Sequence, residues 1–287
     1  MNIIDIETHF LWLVGYSLLG WLYESALCSI REKRILNRGF LNGPYCPIYG
    51  CGALLNVLAL GQVENPFLLF FFGAGLACGI EYLISYGMEK LFHARWWDYS
   101  GMRLNLNGRI CLCGAVIFGT FTVLLIKIAV PLSAACTAAV PQLIRHILAV
   151  IIFLVFFGDI AVTVNSFIGF NRELSEFSAL LEQKKAEIMA ALEGYKDSAV
   201  KIAYEKLIMI EASAAYEKFI QSLSKQQRRM ITAFPKLKLI QYNDILHKIR
   251  WLLYKEEDSK KQTSQSSFQY QSCMEKGPES ACSMDNP

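Results

Sequence analysis

The sequence predicts an all-α fold, a polytopic helical membrane protein with about five transmembrane helices and a cytoplasmic helical region at its C-terminal end. Three observations lead there. Hydrophobic residues make up 54% of the 287 and charged residues only 18%, a balance outside the range of soluble domains. The apolar excess is confined to about the first 170 residues, where it falls into runs as long as a bilayer is thick. A stretch of chain also recurs. With residue 81 set over residue 24, Glu32-Lys33 falls on Glu89-Lys90 and Arg38 on Arg95. After a longer second loop, Asn42-Gly43-Pro44-Tyr45-Cys46 matches Asn107-Gly108-Arg109-Ile110-Cys111.

Taken in order, the expected spans run near Phe10–Ile30, Pro47–Val63, Phe67–Gly87, Ile110–Val130 and Leu143–Phe167. The acidic leader Asp5-Ile6-Glu7 and the lack of a small-residue cleavage pattern make the first run a retained helix rather than a signal peptide. Breaks are expected at Gly43-Pro44, Asn65-Pro66, Pro131 and Pro141, because proline removes a backbone donor and clashes with the preceding turn. The first four spans then form two parallel helix hairpins, with one further span after them.

Orientation follows from short-loop cations. The loop after the first span carries Arg31, Lys33, Arg34 and Arg38; the loop after the third carries Lys90, Arg95, Arg103 and Arg109. The opposite side has an acidic leader, Glu64 alone, and an uncharged stretch from Pro131 to Pro141. The expected location is the cell membrane, with the N-terminus outside and the C-terminus in the cytoplasm.

The expected domains are a transmembrane part over 1–170, a cytoplasmic part over 171–258 and a disordered tail over 259–287. Leu174, Phe177, Leu181, Ile188 and Leu192 recur at helical steps, as do Ile202, Met209, Ala212, Tyr216, Phe219 and Leu223 after Gly194. This pattern fits a helical hairpin or a surface for a partner. A basic stretch (Lys225, Arg228, Arg229, Lys236, Lys238) leads into an amphipathic helix with Ile245, Leu246, Ile249, Trp251 and Leu253. Such a helix suits an anionic membrane surface or an ordinary packed face. The tail is rich in Ser, Gln, Lys and Gly.

Glu24 and Glu81 are the residues of most interest. A carboxylate in hydrocarbon costs roughly 2.5–3.5 kcal/mol on insertion scales, so it usually has a partner or a task. Two at equivalent places in a duplication predict a polar site between the copies, either a substrate or ion path or a structural brace. Asp159, in Phe157-Gly158-Asp159 of the fifth span, is a third candidate for the same interior. Gly75 and Gly79 around Cys78 predict close helix approach in the third span. Beside these acids, Arg38, Arg95, Asp98, Asn107 and Arg109 form a candidate loop site or brace. The Trp and Tyr of Arg95-Trp96-Trp97-Asp98-Tyr99-Ser100 suit the membrane interface; the alternative is an Arg95–Asp98 pair that docks the loop on Glu81 or Glu24, and Arg109 sits where a helix start offers free N–H groups.

Motifs of other chemistry do not occur, and a membrane-embedded enzyme acting on lipid, resting only on the acid-and-arginine loop, ranks last. No G-x-x-x-x-G-K-[ST], H-E-x-x-H or G-x-S-x-G occurs, so no enzyme activity and no cofactor are expected. The nine cysteines form no spaced framework, and Cys46, Cys111 and Cys113 read as packing residues more readily than as a metal site. A net charge of +3 gives no case for nucleic acid.

Four ordered motifs carry a resemblance. They are Gly20-Trp21-x-x-Glu24, Arg38-Gly39-Phe40-Leu41-x-Gly43-Pro44-x-Cys46-Pro47-Ile48-Tyr49-Gly50, Arg95-Trp96-Trp97-Asp98-Tyr99-Ser100, and Asn107-Gly108-Arg109-Ile110-Cys111-Leu112. Together they resemble the ABC-transporter permease family of type IV (CmpB-like), bacterial multi-pass membrane proteins found mostly in Firmicutes. The match covers about Phe10 to Val130, and Ala233-Phe234-Pro235-Lys236 is similar to a cytoplasmic segment of members. The resemblance implies a transport component of unnamed substrate that needs a separate ATP-binding subunit. It brings no catalytic or substrate residues. Membrane lipids and a second copy of the chain are the other expected partners. The alternative is a membrane-anchored interaction or regulatory protein working through its cytoplasmic helices.

Overall fold

The computed structural model describes residues 3–193 and 211–256. The expected tail over 259–287, the turn near Gly194, and Ile202 and Met209 lie outside the described residues. Helix α1 (Ile3–Glu32) is followed by α2 (Pro47–Leu60) and α3 (Pro66–Phe92). Three two-residue strands, β1 (Ala94–Arg95), β2 (Asn105–Leu106) and β3 (Ile110–Cys111), shape the next loop. Helix α4 (Leu112–Leu124) continues through a π turn (Leu125–Ala129) into α5 (Val130–Ala139), and α6 runs from Gln142 to Glu193. Beyond it lie α7 (211–222), α8 (Lys225–Ala233), β4 (Lys238–Leu239) and α9 (243–256).

The fold is mostly helical with almost no sheet, and among the described residues four helices are long and apolar enough to cross a membrane. They begin at Ile6, Pro66, Leu112 and Gln142. The exception is α2, whose 14 residues reach about 21 Å at 1.5 Å per residue, short of a ~30 Å hydrocarbon core. Pro47 sets its start and Gly61 caps its end. A second departure is at Pro131. The chain does not break there, because the π turn immediately before it absorbs the missing donor and the helix resumes with proline in its first turn. The break comes at Val140, which is extended ahead of Pro141. Helix α6 is a single helix of 52 residues that runs unbroken through residue 170.

The two hairpins α1–α2 and α3–α4 are the main helix pairings. Glycines set their spacing. A Cβ added to Gly50 of α2 would run into Ser17 and the Leu13 carbonyl of α1, and one on Gly20 would strike Tyr49. In the second hairpin the same holds for Gly73 against Thr122 and Gly119 against Phe70. The close approach is therefore not made at Gly75 and Gly79, which face open space. The helix turns Gly73 toward α4, and the other two glycines point elsewhere.

At one end of the bundle, Trp12 donates to Thr137 at 2.9 Å, Tyr16 to Ser133 at 3.0 Å, and Glu7 meets His146 at 2.5 Å. The other end is basic and holds both long loops. There β1 pairs antiparallel with β4, and β2 with β3. One hydrophobic core joins Phe92, Trp96, Phe167 and Phe170 to Tyr216, Met230, Phe234, Leu246, Ile249 and Leu253. Helix α9 packs Leu246, Ile249 and Leu253 into that core, while its Trp251 is exposed.

Candidate functional site

Glu24 lies in α1 with its side chain 29% exposed, and Glu81 in α3 is buried. Each carboxylate accepts a hydrogen bond from a tyrosine of its own hairpin or loop. Tyr49 of α2 donates to Glu24 Oε1 at 2.6 Å, and Tyr99, in the loop between β1 and β2, donates to Glu81 Oε1 at 3.3 Å. Arg38 Nε stands 3.8 Å from the second oxygen of Glu24, and the Cys28 thiol faces that oxygen at 4.0 Å. Burial pushes the Tyr99 phenol well above its usual range, and the charges of Glu81 and Glu24 add to this. Tyr99 is therefore a donor to Glu81, and the charge of Glu24 is felt there too. Burial, with the charge of Glu24 behind it, also pushes the nearby Cys46 thiol up to about 12.

Asp159 is elsewhere. Its Oδ1 accepts from the Asn42 backbone N–H at 3.1 Å and from Thr163 at 3.1 Å, and its Oδ2 accepts from Gly43 N–H at 2.7 Å. It holds the first loop in place from α6. On the other side of that loop Arg229 of α8 donates to the carbonyls of Gly39 (2.7 Å), Phe40 (3.2 Å) and Leu41 (2.9 Å). Arg38 also reaches α8, donating to the Ala233 carbonyl at 3.1 Å with its guanidinium over the Phe234 ring.

The second loop is held differently. Arg95 does not pair with Asp98; it bonds Glu89 at 2.5 Å. Buried Arg109 joins the same carboxylate at 2.8 Å and donates to Ser85 at 3.1 Å. Asp98 pairs instead with Lys238 of β4 at 2.6 Å and accepts from Ser100 N–H at 2.9 Å. The Lys238 bond, followed by those from Ser100, holds the Asp98 carboxyl well below its usual range. Asn107 is exposed, adopts a positive φ of 53°, and donates to Tyr82 at 2.9 Å.

The difference between the loops has a local cause. Helix α1 gives way to left-handed Lys33, while α3 runs on to a left-handed cap at His93. Arg95 thus leaves its helix only three residues past the end and turns back to Glu89, while Arg38 leaves farther out and reaches Glu24 and α8. Sequence reasoning missed Tyr49, Glu89, Arg229 and Lys238. Glu89 had a signal, since the repeat aligns it with Glu32. Tyr49 had one too, within the motif Pro47-Ile48-Tyr49-Gly50. Nothing in the sequence tied Arg229 or Lys238 to loops about 140 to 190 residues away. Among the described residues no three His, Cys, Asp or Glu side chains gather as metal ligands.

A helical membrane protein built from two hairpins around paired, phenol-bonded carboxylates is the class these features define. The chain belongs to the family described as Putative ABC-transporter type IV, whose model matches residues 11–164, just over half of the 287. Comparison with curated proteins and with solved structures found no match. It is accordingly a membrane protein related to transport components.

Proposed function

We propose that the chain is the membrane-embedded component of a transport system that works with a separate ATP-binding subunit, and that Glu24 and Glu81 line its polar path or gate. The observation that carries this is the matching pair of phenol-bonded acids, Glu24 with Tyr49 and Glu81 with Tyr99, at equivalent places of the duplication. A brace needs cations against its acids, as Glu89 has with Arg95 and Arg109. Glu81 instead has a phenol, and Glu24 a phenol with Arg38 at the limit of contact. Neutral donors leave the acids' charge for a passing cation or proton. The loop cations favour an orientation with this end in the cytoplasm.

The alternative, a regulatory role for the helices after residue 170, also has an observation in its favour. Arg229, Lys238 and the β1–β4 pairing hold both loops from 211–256. That region therefore acts on the chain's own membrane part, setting how far the loops over Glu24 and Glu81 open. Replacing both glutamates with Gln tests the leading reading. Transport-linked function is expected to fall at least tenfold at unchanged amounts of folded protein. Full function in the double variant overturns the path and leaves the brace.

A further inference from the structure

Both long loops run back down the helices they leave. In the first, the N–H of Leu36 donates to Ser29 at 2.9 Å, that of Arg38 to Ser25 at 3.2 Å and that of Cys46 to the Ser17 carbonyl at 2.9 Å. These partners lie progressively deeper in α1, and Ser17 is about 22 Å back from its end at Glu32. In the second loop Arg109 donates to Ser85, Asn107 to Tyr82 and Tyr99 to Glu81. Leu104 and Leu106 line one cavity with Cys78, which is about 21 Å back from the end of α3 at Phe92. Each of these two spans has 27 residues. That is about 40 Å, so no more than about 10 Å can project beyond a ~30 Å hydrocarbon core. The deeper contacts of both loops therefore lie inside the core.

We propose that both loops are re-entrant, entering and leaving the bilayer on one face, and that they open a water-filled vestibule from that face toward Glu24 and Glu81. Irregular backbone survives at membrane depth only where protein buries it or water reaches it. Both conditions are met here. On its protein side the first loop is satisfied by Ser25, Ser29, Asp159 and Arg229. Its other side shows Asn42 and Pro44, and the second loop shows Ser100, Arg103 and Asn107, all exposed. A charge facing lipid tails is costly, so water is what these groups meet. The floor of the vestibule is closed in this state, where Tyr99 bonds buried Glu81 and Tyr49 bonds Glu24. That protons or small hydrated cations use the vestibule rests on the path reading above; the re-entrant course of the loops does not.

The test is labelling of the full chain in right-side-out and inverted membrane vesicles with a membrane-impermeant sulfonated maleimide, read at each introduced cysteine by peptide mass spectrometry. Asn107→Cys is compared with Leu83→Cys, exposed on α3 beside Tyr82, the partner of Asn107. Pro44→Cys is compared with Leu19→Cys, exposed on α1 near Ser17. Arg103→Cys gives a second reading of the second loop, and every variant is checked for unchanged elution and helicity. The three loop cysteines are expected to react only from the face that carries the basic loops, at least about tenfold faster than the two helix cysteines, which lipid covers. Equal rates at loop and helix positions would put the bilayer surface below both loops, and loop cysteines silent to the reagent would make them dry; either result overturns the vestibule. The labelling reads water and not transport. It can fail while the Glu24→Gln/Glu81→Gln variant still loses function, and succeed where that variant keeps it.

Discussion

Arg229→Ala should loosen the first loop by a measurable amount. Its guanidinium donates at 2.7, 3.2 and 2.9 Å to three successive carbonyls, Gly39, Phe40 and Leu41. A bond from a charged donor contributes about 1.5–3 kcal/mol. The side chain is only partly buried, so water replaces some of what is lost and the three bonds do not add in full. A total near 3 kcal/mol is a reasonable figure, which at ~1.4 kcal/mol per decade raises loop opening about 100-fold. The amides of Asn42 and Gly43 report it, because Asp159 protects both. In nanodiscs, hydrogen exchange at these two amides should accelerate about 100-fold in Arg229→Ala. Arg229→Lys should fall between, since an ammonium cannot span three carbonyls. Exchange within about twofold of wild type in Arg229→Ala would refute the clamp.

Gly50→Ala should destabilise the α1–α2 hairpin by about 1–3 kcal/mol through overpacking against Ser17 and Leu13. Its melting temperature in detergent should drop several degrees, while Gly79→Ala, which meets open space, leaves it unchanged. Asp98 predicts a pH window. Its folded carboxyl is held below the usual range by Lys238, so the stabilisation is present above the unfolded value of about 3.9 and is lost as pH falls below it. The melting difference between wild type and Asp98→Asn should stay constant from about pH 5 to 8 and shrink below about pH 4. A difference that fades near neutrality would contradict that. Tyr49→Phe removes the 2.6 Å donor to Glu24 and should reduce transport-linked function severalfold with folding intact; equal function would detach Tyr49 from the site.

Helix character, membrane class and the two hairpins were legible because they rest on local signals: apolar run length, proline positions and a duplication spanning Glu24 to Cys111. The resemblance motifs were legible for the same reason and lie within the matched residues. The length of the second helix was less so, since the apolar run after Pro47 extends past Gly61, which ends it. Pro131 misled because proline forbids a regular α turn but not a π turn ahead of it. The equivalence of Glu24 and Glu81 was readable from the duplication, and each holds a tyrosine hydroxyl. The partners of Arg95 and Asp98 were not, as these depend on where α3 ends and on a strand pairing with Lys238 far along the chain. Gly75 and Gly79 show the same limit, since four-residue spacing gives a face and does not say what lies opposite.

The proposed function has a separate ATP-binding subunit drive this membrane part through Glu24 and Glu81. Its most direct test is to isolate the chain after mild cross-linking in its own membrane and measure ATP hydrolysis by the recovered complex in nanodiscs. A bound ATP-hydrolysing subunit is expected, retained by the Glu24→Gln/Glu81→Gln variant with a hydrolysis rate changed at least tenfold. Recovery of the folded chain with no such subunit, or a rate indifferent to both glutamates, would contradict it.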